Sequence, residues 1–158
     1  MVSSKYENLI YPEPLQKHWF VEGLGKYSKE EGAQYLGAEF ILGYNLITEP
    51  LYMLNSPHKH SFHQYLVFIG GNPMNIREFG GEVDLWLGVD DEAEMITVNK
   101  TTIIHIPPML PHCPLNFRVI TKPIIFMECM LTSKYDQIEV TPKKPEIYSK
   151  KRQKLTGV

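Results

Sequence analysis

Pro57-His58-Lys59-His60-Ser61-Phe62-His63-Gln64 and, about fifty residues on, Ile106-Pro107-Pro108-Met109-Leu110-Pro111-His112-Cys113-Pro114 are the two stretches that decide how this chain is read. In an extended segment, residues two apart point to the same face. His58 and His60 therefore project together, roughly 6 to 7 Å apart, close enough to share one ion. Gln64 has the same parity and can present a carbonyl oxygen there, whereas His63 has the opposite parity and faces away. Prolines on both sides of His112 rigidify its loop and fix where the imidazole points. Such preorganised nitrogen donors suit Zn²⁺, Fe²⁺, Ni²⁺ and related ions. His105 has no partner at useful spacing and reads as structural.

Outward from these stretches, the chain of 158 residues is long enough for one domain with a real hydrophobic core. A net charge of −2 does not advertise a nucleic-acid partner. The charge is uneven, because residues 143–158 carry six basic side chains against Glu146, a net of +5, and the preceding residues sum to −7. Such a tail reads as a solvated end, or as an arm that packs Ile147, Tyr148 and Leu155 on a partner subunit. Residues 1–8 are polar and do not read as a secretory signal, so Cys113 and Cys129 are not expected to make a disulfide framework. No run of 18 apolar residues exists, so no membrane helix is expected, and the expected compartment is the cytoplasm.

Prolines and glycines recur at short intervals and leave little room for long helices. Residues 39–47, 65–69, 82–87, 95–98, 102–107, 116–120 and 124–131 are rich in β-branched and aromatic side chains and bounded by turn formers. The pattern predicts an all-β sandwich or barrel. One short helix is expected over 28–35, capped by Ser28, with Trp19 and Phe20 anchoring the arm that precedes the barrel.

With these features in place, the chain resembles the cupins. His58-Lys59-His60, three residues, Gln64, six residues and Gly71 follow the first cupin motif, with Gln64 in the glutamate slot. Pro107-Pro108-Met109, two residues, His112, three residues and Asn116 follow the second, with Met109 in a glycine slot. The resemblance covers about residues 36–132. It implies a cupin-type double-stranded β-helix, a jelly-roll barrel, with an N-terminal arm over 1–35 and a basic C-terminal tail over 133–158. It also implies one divalent metal ion, Zn, Fe, Ni or Mn, on His58, His60, Gln64 and His112. A homodimer built by exchange of N-terminal strands is common among cupins. Three departures matter. Tyr52 and Thr101 stand where glycines open the two motifs. Met109 lacks the left-handed freedom of glycine, so its loop is expected to turn differently. Gln64 brings an oxygen but no charge, which weakens ion binding and leaves a harder Lewis acid.

A carboxylate can come from Gly80-Gly81-Glu82-Val83-Asp84-Leu85-Trp86-Leu87. Glu82, Asp84 and Trp86 share one face of this strand, and Val83, Leu85 and Leu87 share the other. If the apolar face is inside, Glu82 is at the surface. The alternative turns Glu82 inward as an extra ligand or general base, similar to the phosphomannose-isomerase type of cupin. The resemblance implies redox-neutral Lewis-acid chemistry on a small polar molecule, as in an isomerase, epimerase, dehydratase or lyase. A non-haem dioxygenase and a non-catalytic ligand- or metal-binding barrel stand as alternatives. A small molecule is the expected partner, with no nucleic acid and no membrane. Cys113, beside His112, is a candidate thiol near the ion.

Overall fold

Short runs of alternating side chains, cut by proline and glycine, each become a strand. The computed structural model describes residues 15–17, 22–25 and 39–148. Twelve strands lie among them: β1 (Leu15–Lys17), β2 (Glu22–Gly25), β3 (Ile41–Ile47), β4 (Leu51–Leu54), β5 (His58–Lys59), β6 (Gln64–Gly70), β7 (Gly81–Leu87), β8 (Glu94–Val98), β9 (Thr102–Ile106), β10 (His112–Ile120), β11 (Ile124–Met130) and β12 (Ile138–Glu139). One sheet runs β1-β2-β3-β11-β6-β9. The other runs β12-β5-β10-β7-β8, with β4 also on β10. Every pairing is antiparallel.

The two sheets close over one core to which both contribute. Along β6, Gln64, Leu66 and Phe68 are buried while Tyr65, Val67 and Ile69 are half-buried, the period of two expected of a strand with one face inward. Phe68, Phe117 and Phe126 pack ring against ring at centroid separations of 5.1 to 6.2 Å. None of the three has exposed surface, and burial of each contributes roughly 1.5–3 kcal/mol. A smaller cluster of Ile41, Phe62 and Met130, with Tyr135 against it, closes one end of the barrel. The motif glycine Gly71 has a steric reason: a Cβ there would sit 2.6 Å from the Pro123 carbonyl oxygen, which its own N–H already bonds at 2.8 Å.

All seven expected strands exist, and the differences are instructive. The strand expected at 116–120 begins four residues earlier, at His112, and carries Pro114 within it. Met109 does not turn differently from a glycine. It takes φ +66, held by its N–H on the His60 carbonyl at 2.8 Å. Within the C-terminal tail over 133–158, whose basic part 143–158 reads as a solvated end or a partner-packing arm, residues 133–148 pack on their own chain as far as Tyr148. β12 pairs with β5, the Lys143 and Lys144 amides donate to Asp90, and Tyr148 lies edge-on to Trp86. The helix expected over 28–35, Trp19, Phe20 and the basic end beyond residue 148 lie outside the described residues.

Candidate metal centre

His58 opens β5, and its cross-strand partner is His112, the first residue of β10. His60 directly follows the last residue of β5, two positions after His58. Antiparallel pairing thus joins the two sequence stretches at one end of the barrel. The three side chains are buried, at 2 to 3% exposure. Their ring centroids are 4.4 to 5.1 Å apart, and one ring nitrogen from each lies within 4.8 Å of the others.

The remaining nitrogens are occupied. His60 Nδ1 meets the Asp136 carbonyl oxygen at 2.5 Å, His112 Nδ1 meets the Leu110 carbonyl oxygen at 3.1 Å, and His58 bonds to the backbone of Ser56. At His60 and His112 the backbone acceptors at Nδ1 select the tautomer that leaves the Nε2 lone pair free, the usual support of a metal-bound imidazole. Burial, and then the neighbouring His60, push His58 down to about 4. Burial, and then His58, push His112 down to about 3. Burial also lowers His60. All three are therefore neutral donors at physiological pH.

His60 is the most heavily braced. Phe62 stacks on it at 4.8 Å, and Tyr135 lies 5.3 Å away. Asp136 holds the loop from outside, accepting the Ser61 amide at 2.9 Å and the Ser61 hydroxyl. Asp136 was not foreseen, and nothing local marks it, because it reaches the site from 76 residues away.

Gln64, at the start of β6, is buried, and its Oε1 has no hydrogen-bond partner among the described residues. Its Nε2 donates to Glu128 Oε1 at 3.5 Å. Glu128 lies on β11 with the inward parity of Phe126 and Met130, and burial pushes its carboxyl up to about 7. It is the interior carboxylate that sequence reasoning sought at Glu82.

Glu82 is not brought to the cluster. Val83 and Leu85 enter the core, so the opposite face of β7 turns outward, and Glu82 ion-pairs there with Arg118. Asp84 shares that guanidinium at 2.9 Å and accepts from Thr97 at 2.7 Å. His63 faces away as expected, and His105 does have a partner: His63 Nδ1 and His105 Nε2 are 2.9 Å apart on the outer face. Cys113 is buried, and burial followed by the Glu128 charge push its thiol well up, which disfavours a thiolate at the site.

Three neutral, buried imidazoles converging on one point, with aromatic side chains beside them, fit a divalent ion. No protein-family model matches the sequence, and no curated protein matches it. Solved structures do match. A mutant of Bacillus subtilis oxalate decarboxylase superposes with a TM-score of 0.51 at 11% identity, covering 80% of this chain and 29% of that one. The capsular polysaccharide assembling protein CapF from Staphylococcus aureus gives 0.51 at 11% identity, covering 83% and 33%. The chain spans about a third of the length of these matches. At such identities the likeness is one of fold. With two antiparallel sheets, the paired histidine stretches joined at one barrel end and these neighbours, the chain has the cupin fold.

Proposed function

We propose that the barrel holds one divalent metal ion on His58, His60 and His112, with Gln64 as a fourth, oxygen donor. The proposed activity is redox-neutral chemistry on a small polar molecule, in the class of isomerases, epimerases, dehydratases and lyases. The observation that carries the reading is the convergence of three buried, neutral imidazoles whose candidate ligand nitrogens lie within 4.8 Å of one another. When bound, the ion would polarise a carbonyl or enolate oxygen. The chain's own contribution is to hold the donors rigidly, through backbone acceptors at Nδ1 and through Phe62 and Tyr135 against His60, and to line the interior with apolar side chains that exclude water. Mn(II) centres are described for the solved neighbour oxalate decarboxylase, which supports keeping Mn²⁺ beside Zn²⁺, Fe²⁺ and Ni²⁺ as candidates.

Elemental analysis of the purified protein tests the site. About one equivalent of metal is expected in wild type and in Glu82→Ala, and none in His60→Ala. A wild-type protein that stays metal-free after incubation with each of the four ions would overturn the reading. The distance of Glu82 from the cluster favours one second reading. A site of three imidazoles without a direct carboxylate ligand also suits a non-haem dioxygenase. Oxygen consumption on turnover would separate the two, and ligand binding without product would mark a non-catalytic barrel.

A further inference from the structure

The two ends of the Gln64 amide have different surroundings. Its Nε2 meets the Glu128 carboxylate, and its Oε1 is buried with no partner among the described residues. The register explains the meeting. Gln64 pairs with Met130 and Leu66 with Glu128, so Gln64 and Glu128 are diagonal neighbours on the inward face. On the other side of Glu128, β3 presents Gly43, where even a Cβ would lie 3.5 Å from Oε2. The carboxylate thus fits between β3 and β6 without a competing side chain from Gly43. Glu128 forms no ion pair among the described residues.

An amide beside a carboxylate has one favourable orientation, with N–H toward the anion and C=O away from it. That orientation leaves a buried acceptor unsatisfied, which costs about 1–3 kcal/mol unless a cation or donor meets it. A carboxylate in line behind a ligand raises that ligand's basicity and fixes its orientation.

Resting on the metal-site reading above, we propose that Glu128 is a positioning residue of the centre that acts through Gln64. It holds the amide so that Oε1 is the donor atom, and it supplies, one residue removed, the negative charge that glutamine does not carry. The site is then a three-imidazole, amide-relayed carboxylate centre. Its charge is set by a strand that contributes no direct ligand.

The test is Zn²⁺ affinity by competition with a chromophoric chelator, with the visible spectrum of the Co²⁺-loaded protein alongside. Glu128→Gln keeps size and hydrogen bonding but removes the charge, and its Zn²⁺ affinity is expected to fall about 10- to 100-fold. Gln64→Ala should fall by a similar factor, and the double variant Gln64→Ala/Glu128→Gln no further than either alone. Gln64→Glu/Glu128→Gln, which moves the charge directly onto the ligand, should regain wild-type affinity to within a few-fold. It should also show a Co²⁺ spectrum distinct from that of Glu128→Gln. A merely structural role for Glu128 would not be rescued in this way. Wild-type affinity in Glu128→Gln, multiplicative losses in the double variant, or no rescue by the moved charge would overturn the relay while leaving the histidine site standing. Absence of Zn²⁺ and Co²⁺ binding in wild type would overturn both.

Discussion

Between pH 4.5 and about 7 the folded, metal-free protein keeps a proton on Glu128 that the unfolded chain has already released, because burial raises this carboxyl. Its stability contribution is therefore present in acid and lost as pH rises through that window, by on the order of 3 kcal/mol. His58 and His112 run the other way. The unfolded chain takes up protons below 6.5 while the folded rings stay neutral down to about 4 and about 3, so their contribution is lost as pH falls. Metal-free Glu128→Gln is thus expected to exceed metal-free wild type by on the order of 3 kcal/mol above pH 7, with the gap closing by pH 4.5. Urea melts in the presence of chelator, from pH 4 to 8, would check it. At this scale the sequence was informative where chemistry is periodic: His58 and His60 two apart, His112 between prolines. It hid Glu128 because Ile124-Ile125-Phe126-Met127-Glu128-Cys129-Met130 is apolar on both parities, so nothing local says which face is inward.

Elements were legible where β-branched runs met turn formers, and obscure where pairing partners alone create a strand. β5 and β12 are two residues each, too short to show a period, and they exist because β10 and β5 respectively offer an edge. Pro114, read from the sequence as part of a rigid loop around His112, lies inside β10, where Leu115 marks a shift of register against β7. The loop before it holds Met109 left-handed through its bond to His60, at a cost of order 1 kcal/mol for a non-glycine residue. Met109 is largely exposed, so Met109→Gly should be neutral or stabilise by up to about 1 kcal/mol, and Met109→Val should destabilise by about 1–2 kcal/mol. Thermal melts of the two variants would read the difference. Melting temperatures that rank Val above Gly would show that the loop relaxes away from this conformation.

For the whole molecule, the outer face of the first sheet carries Leu46 and Ile103, exposed at 43% and 66%, beside half-buried Val67, Ile69, Ile125 and Met127. A contiguous apolar face of this kind suits self-association, a route to a dimer other than the N-terminal strand exchange that the resemblance implies, and we propose it as such. Light scattering should return a mass near twice 18.3 kDa, and Ile103→Glu should shift it toward one. A monomeric wild type would remove the proposal. This apolar face was not legible from strand patterns, because an outward face reads as apolar only once the register has assigned inside and outside.

The strand that carries His58 is also the strand on which β12 lies, and the carbonyl that orients His60 belongs to Asp136, on the same returning segment. With an ion on the proposed centre, its occupancy and closure of that clasp are expected to be coupled, and any such coupling acts equally in both directions. Chelation is expected to quicken amide exchange and protease cleavage across residues 133–140 while the Phe68, Phe117 and Phe126 core keeps its protection. A chain cut before Asp136 should bind the ion more weakly although every proposed ligand remains. The returning segment would then serve as a latch, and how fast it lifts would set how long an ion resides.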